Sequence, residues 1–201
     1  IKNYREELLN IQRKLNVLLV KPYELPKEIT INNTLKDKQN CVEGLIEYYR
    51  SSLYEDVIFI CNEEGKINLD ELKEALKTPT VLVSVMHVNN EVGCINDINE
   101  ISNITHKYDA LFHSDITQSI GKIKVDLSNI DLASFSSHKL FAPKGSGVLV
   151  KKSNIKLTPL FYGGGQESNY RSGTSNWPTN VSMAKALRLC LNELDNSYNY
   201  V

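Results

Sequence analysis

Residues 80–115 read TVLVSVMHVNNEVGCINDINEISNITHKYDALFHSD, and this stretch decides the class of the fold. Its two ends, TVLVSVMHV at 80–88 and ALFHSD at 110–115, are short apolar runs that are typical of buried strands. Between them, DINEISNITHKY at 97–108 has apolar residues at helical spacing. Strands that are apolar on both faces and alternate with helices indicate a parallel sheet in an α/β protein.

The same alternation extends along the chain on both sides of this stretch. The patterns predict helices at 4–20, 41–50, 68–77 and 181–194, the third opened by an Asn or Asp cap. They predict further strands at 56–60, 131–137 and 147–152. We therefore predict an α/β domain with a mostly parallel central sheet flanked by helices.

The charge, hydropathy and cysteine content of the chain exclude several kinds of binding partner and site. The 201 residues carry 23 Lys+Arg against 24 Asp+Glu, and a net charge of -1 argues against a nucleic-acid-binding face. No apolar run approaches the roughly 18 residues of a membrane span, and the amino terminus has no signal-peptide pattern, so we expect no membrane partner. The four cysteines are scattered without a CxxC pair, which favours a reducing, cytoplasmic location and no metal site.

Polar side chains follow several of the predicted strands, where an open parallel sheet binds its ligand. Polar residues occur in most loops, so any one of these segments alone says little. Four segments in succession are harder to dismiss, and they are NNEVG at 89–93, DITQ at 115–118, SSHK at 136–139, and GGGQE with RSGT between 163 and 174.

Lys139 and Asp115 give these segments a chemical meaning. A lysine that ends a buried strand can bond covalently to a carbonyl cofactor such as pyridoxal phosphate (PLP). That cofactor also needs a carboxylate on its ring nitrogen, and Asp115 ends the neighbouring strand. An aspartate in this place also commonly caps the next helix, and that alternative stays open. The polar residues that could reach the ring oxygen or hold the phosphate are Asn90, Gln118, Ser136 and His138.

The ordered segments NNEVG, HSDITQSIGKI, SFSSHKLFAPKGSG and GGGQESNYRSGTSN closely resemble the fold-type I, class V aminotransferase family. Within it they are most similar to the cysteine desulfurase group, over about residues 55–195. The resemblance implies that Lys139 binds PLP covalently and that Asp115 pairs with the pyridine nitrogen. It assigns the ring oxygen to Asn90 and Gln118, and the phosphate to Ser136 and His138.

The resemblance also implies partners. Thr174 would reach the phosphate of a second subunit, which implies a homodimer with shared sites. The substrate would be L-cysteine, converted to L-alanine while its sulfur passes to an acceptor or scaffold protein for iron–sulfur cluster assembly or thiolation.

The sequence departs from the family pattern in its first part. Thr34-Leu35-Lys36-Asp37 stands where the family has a Gly-Ala-Thr-Glu phosphate loop, and Leu35 occupies the place of a ring-stacking His. No cysteine stands in the family's catalytic-loop context, and the substrate-binding Arg has no counterpart. We therefore expect a partial or degenerate chain: a divergent helical region at 1–54 with a degenerate phosphate-loop segment, and a PLP-binding large domain at 55–201 without the small carboxyl-terminal domain.

This chain alone is expected not to turn over cysteine. Two alternatives remain: another PLP lyase or aminotransferase of the class, which the RSGT motif argues against, and a non-catalytic paralogue that acts as a binding partner.

Overall fold

The computed structural model describes residues 17–20, 62 and 64–196. Its strands are β1 (Val17–Val20), β2 (Leu82–Met86), β3 (Leu111–Asp115), β4 (Leu132–Ser136) and β5 (Gly147–Lys151). Its α-helices are α1 (Leu69–Ala75), α2 (Ile98–His106) and α3 (Trp177–Asn192), and short 3-10 helices cover Ser137–Leu140 and Glu167–Asn169.

The five described strands form one sheet in the order β1-β2-β3-β4-β5. The central strands β2, β3 and β4 run parallel, and the two flanking strands β1 and β5 pair antiparallel with their neighbours. In this register Ser84 lies beside His113, and Asp115 lies beside Ser134. The predicted α/β fold with a parallel centre is confirmed.

One face of the parallel strands is buried against the helices. The core side chains of these strands are Val83, Val85, Phe112, Ala133 and Phe135. Helix α2 adds its buried isoleucines at 98, 101 and 104 to the same cluster. Phe112 is 0% exposed, and burying a side chain of this size stabilises the fold by about 2–3 kcal/mol. The opposite face carries partly buried polar residues, and these define the candidate site.

Short polar side chains cap the amino ends of α1 and α2. Asn68 caps α1 by accepting hydrogen bonds from the backbone N–H groups of Asp70 and Glu71, as the predicted cap requires. Asp97 caps α2 in the same way. Helix α3 begins at Trp177, four residues before the predicted start, and Pro178 sits in its first turn, where no backbone N–H is needed.

The predicted helix at 4–20 is wrong at its carboxyl end. Val17–Val20 forms β1 and pairs with β2 from Val17 opposite Val85 to Val20 opposite Leu82. An apolar run of four residues fits either structure, and pairing with an existing strand decides the outcome. The helical description of residues 1–54 therefore fails at these residues. The predicted helix at 41–50, the strand at 56–60 and the degenerate segment at 34–37 lie outside the described residues.

Candidate active site

Asp115 is the last residue of β3 and is partly buried on the polar face of the sheet. Its Oδ1 accepts a hydrogen bond from the backbone N–H of Thr117 at 2.9 Å, so one carboxylate oxygen caps the turn after the strand. Within the described part of the chain, Oδ2 accepts no hydrogen bond. The capping role and a ligand-binding role are therefore compatible, because each uses a different oxygen.

Ser136 ends β4, and the 3-10 helix Ser137–Leu140 follows at once. Ser137 and Leu140 are buried, and the Ser137 hydroxyl donates to the carbonyl of Pro143. His138 and Lys139 lie between these two anchors and are exposed. The turn thus holds its backbone in the core while it presents an imidazole and an amine beyond the carboxyl end of β4.

Lys122 closes the turn that follows Asp115. Its ammonium donates to the backbone carbonyls of Gln118 at 3.2 Å and Thr117 at 3.5 Å. Burial lowers the pKa of Lys122, and repulsion from the Lys139 charge lowers it further. The two ammonium groups therefore lie close enough to repel each other, and together they make this edge of the sheet favourable for an anion.

The turn after β2 is built by Asn89, which is 3% exposed. Its Oδ1 accepts from the backbone N–H groups of Glu91 at 2.8 Å and Val92 at 2.9 Å. Gly93 closes the turn with φ +69°, a conformation that favours glycine. The predicted ring-oxygen ligand Asn90 is exposed at the tip and donates to the Glu91 carboxylate.

Backbone pairing brings these turns to one edge of the sheet. The N–H of His87 donates to the carbonyl of Asp115 at 2.9 Å, and the N–H of Ile116 donates to the carbonyl of Ser134 at 2.9 Å. The ends of β2, β3 and β4 are thus held side by side. Six of the seven predicted site residues follow or end these strands, and they are Asn90, Asp115, Gln118, Ser136, His138 and Lys139.

Thr174 lines a cavity that the other six do not line. It lines a cavity of about 1110 Å³ between β5, the 157–176 segment and the start of α3, and none of the strand-end residues lines that cavity. The wall of this cavity includes exposed apolar side chains, among them Leu160 and Phe161. The structure therefore does not bring Thr174 into a cavity with the remaining predicted site residues.

His113 is a site residue that the sequence reasoning missed. Its Nδ1 is 2.7 Å from Ser84 Oγ on β2, and its Nε2 is 3.0 Å from Ser134 Oγ on β4. Burial lowers the pKa of His113, against a smaller raising effect of the Asp115 charge, so the buried position favours the neutral form of the ring. The available signal was spacing, because residues two apart in a strand share a face.

A second polar cluster lies at the opposite end of the strands. Asp131, 6% exposed, precedes β4 and accepts a hydrogen bond from the Phe112 N–H at 2.8 Å. His106 Nε2 lies 2.6 Å from Oδ2, and the Lys152 ammonium lies 3.1 Å from Oδ1. Burial alone would raise the pKa of Asp131, but these hydrogen bonds outweigh it and lower the pKa. The cluster ties α2, β3, β4 and β5 together where parallel strands do not bind ligands.

The described residues show neither a metal site nor a membrane span. No three His, Cys, Asp or Glu side chains between residues 64 and 196 are grouped so that they could hold a metal ion. No helix in that part of the chain is long and apolar enough to cross a membrane.

The fold agrees with the comparisons to known proteins. Residues 55–198 match the Aminotransferase class-V family, and the chain belongs to this family. Cysteine desulfurase IscS of Dictyoglomus turgidum is 43% identical over 136 residues, which cover 67% of this chain and 34% of that protein. The mitochondrial cysteine desulfurase of Eremothecium gossypii is 42% identical over 169 residues, covering 81% of this chain and 34% of that protein.

A solved structure gives the same result for the fold. SspA in complex with cysteine superposes with a TM-score of 0.67 at 35% identity, over 74% of this chain and 44% of that one. This chain spans about a third of the length of the two curated relatives it matches.

Proposed function

We propose that this chain is the cofactor-binding part of a PLP-dependent cysteine desulfurase. The observation that carries the proposal is the meeting of Asp115 and the Ser136–Lys139 segment at the ends of two adjacent parallel strands. A carboxylate and an amine on one edge of a sheet are the pair that PLP requires. The cysteine desulfurases among the relatives support the choice of reaction.

The residues present fit PLP in charge and exposure. Asp115 Oδ2 accepts no hydrogen bond from the described residues, so it is available to a protonated ring nitrogen. Lys139 is exposed and carries the amine for the covalent bond, while Ser136 and His138 flank it as donors to the phosphate. Lys122 adds a second positive charge near Lys139. When bound, PLP supplies an electron sink for the carbanion that forms on the substrate's α-carbon.

Each protein group has a defined task in this proposal. The Asp115 carboxylate holds a proton on the ring nitrogen by its negative charge. Asn90 and Gln118 orient the ring through its oxygen, and both belong to turns at the same sheet edge. The Lys139 amine would hold the cofactor by a covalent bond. L-cysteine is the proposed substrate, L-alanine the product, and a second protein accepts the sulfur for iron–sulfur cluster assembly or thiolation.

Borohydride reduction followed by peptide mapping tests the assignment of Lys139. The 201-residue chain, incubated with PLP and reduced, should carry the pyridoxyl group on Lys139 and lose it in Lys139→Ala. Lys144→Ala is a matched control, because Lys144 is also an exposed lysine, five residues further along the chain. An adduct on Lys144, or none on any lysine, would contradict the proposal.

A visible absorbance band from the purified chain with PLP distinguishes two hypotheses: the cofactor-binding part of a cysteine desulfurase, and a non-catalytic paralogue. Loss of the band in each of the two single variants, Asp115→Asn and Lys139→Ala, would support binding at the strand ends. A chain that shows no band at saturating PLP would favour the binding-partner alternative.

We also propose that the protein works as a homodimer. Thr174 lies on a surface that its own strand-end site does not share, as a residue serving the phosphate of a second subunit would. The exposed apolar side chains around this surface include Leu160 at 89% and Tyr162 at 78% exposure. Light scattering of the chain after size exclusion should give twice the monomer mass.

The proposed location is the cytoplasm, although relatives include mitochondrial and mitosomal proteins.

A further inference from the structure

His113 joins three strands on the face that carries the candidate site. Its ring lies between the hydroxyls of Ser84 on β2 and Ser134 on β4, at 2.7 Å and 3.0 Å. Both ring nitrogens are therefore engaged. A neutral imidazole has one donor and one acceptor nitrogen, and a serine hydroxyl can serve either, so this bridge is satisfied with no charge on the ring.

Asp115 stands directly beside this bridge. It follows His113 by two residues on the same strand, so both side chains leave the same face of the sheet. Asp115 is also the register partner of Ser134, which accepts or donates the second hydrogen bond of the ring. The carboxylate and the bridge thus share both a strand and a neighbour.

We propose that His113 is a positioning residue: by bridging Ser84 and Ser134 it fixes the end of β3 from which Asp115 reaches the cofactor ring. This inference rests on the proposed function and adds a residue to it. A one-ångström shift of a positioned group is enough to lower the efficiency of a site about 100-fold, so a rigid link between three strand ends has a large effect on what Asp115 can bind. A neutral His113 imidazole also does not compete with the nitrogen of the cofactor ring for the charge of Asp115.

Few charged side chains of the described strands share the face of His113. On the site-facing side of β2, β3 and β4, the titratable side chains are His113 and Asp115, and β5 adds Lys151 as the register partner of Leu132. Lys139 and Lys122 lie beyond the strand ends, in the two turns already described. An effect of Asp115 on His113 is therefore separable from other charges by single substitutions.

The first experiment measures PLP binding by absorbance titration in His113→Gln. Its matched control is His106→Gln, which breaks the contact with Asp131 at the opposite end of the sheet. Both variants should lose thermal stability, but only His113→Gln should weaken PLP binding, by about tenfold or more. Ser134→Ala removes one of the two bridge bonds, keeps the ring, and should give an intermediate loss. Equal PLP affinity in the two histidine variants would reduce His113 to a structural role and overturn the proposal.

The second experiment needs no cofactor. The pKa of His113 is read from the ring-nitrogen shifts in long-range ¹H–¹⁵N NMR spectra, with His113→Gln to assign the signal. Asp115→Asn should lower that pKa, because it removes the charge that raises it. An unchanged titration would show that His113 does not sense Asp115 and would refute the positioning role alone. Failure of the wild-type chain to bind PLP would instead refute the proposed function.

Discussion

Replacing Asp131 with asparagine removes the charge from the cluster at the amino end of β4. In the wild-type protein the carboxylate takes three partners at 2.6–3.1 Å, namely the Phe112 N–H, His106 and Lys152. The asparagine side chain has nearly the same size but only one acceptor oxygen. Its NH₂ group must then face a donor, so at least one buried hydrogen bond is lost.

The size of the effect follows from burial. Removing one partner of a buried ion pair costs about 3–5 kcal/mol. The side chains of His106 and Lys152 are 32% and 35% exposed, so water screens part of the interaction. We therefore expect Asp131→Asn to lower the free energy of unfolding by roughly 2–3 kcal/mol at pH 7. For a chain of this length the melting temperature should fall by roughly 4–12 °C.

The pH dependence has a defined sign. The folded-state pKa of Asp131 lies below its ordinary value of 3.8, so the carboxylate contributes stability above that pH and loses it as the pH falls through the folded-state pKa. The difference between wild type and Asp131→Asn should be full at pH 7 and should shrink as the pH falls below 3.8.

Urea unfolding followed by circular dichroism measures both quantities. Asp126→Asn is the control, because this carboxylate is exposed and its described hydrogen bonds come from one neighbouring residue, Ser128. Its midpoint should hardly move at pH 7. An Asp131→Asn variant as stable as wild type at pH 7, or one whose deficit stays constant down to pH 3, would refute the reasoning.

Three further predictions concern the site and its surroundings. Asp115→Asn should weaken PLP binding about tenfold or more in absorbance titrations, because it removes the charge that favours the protonated ring. Gly121→Ala should lower the free energy of urea unfolding by roughly 2–4 kcal/mol, since φ is +73° and the new Cβ would lie 2.8 Å from Cys190 Cβ. The 201-residue chain should release no alanine from cysteine with saturating PLP and reductant, because none of its cysteines stands in the family's loop context; release abolished by Lys139→Ala would contradict this.

The central strands were predictable because their pattern is local. β2, β3 and β4 are apolar runs bounded by polar turns, and each formed within the range predicted for it. β1 was not predictable, since VLLV at 17–20 carries no periodicity long enough to separate helix from strand. Its structure depends on a partner strand roughly 60–70 residues further along the chain, since Val17 pairs with Val85 and Val20 with Leu82.

The candidate site also has residues that the sequence could predict and residues that it could not. Lys139 and Asp115 could be found from the sequence because a parallel sheet gathers the residues that follow its strands. The bridge from Ser84 through His113 to Ser134 could not, because it depends on the register between strands. A shift of one residue would send His113 to the buried face. The position of Thr174 on its cavity wall likewise depends on the path of the chain after β5, which no local pattern specifies.

The two ends of β3 and β4 use the same residue types for opposite purposes. At the amino end, His106 and Asp131 touch at 2.6 Å, and Lys152 and the Phe112 N–H also contact the carboxylate. At the carboxyl end, His113 turns both nitrogens to serines, and one oxygen of Asp115 accepts no hydrogen bond from the described residues. A carboxylate whose two oxygens both have hydrogen-bond or ion-pair partners contributes stability. A carboxylate that is held in place by one oxygen can bind a positively charged ligand group with the other. The difference in pairing, more than the residues themselves, marks which end of the sheet can do chemistry.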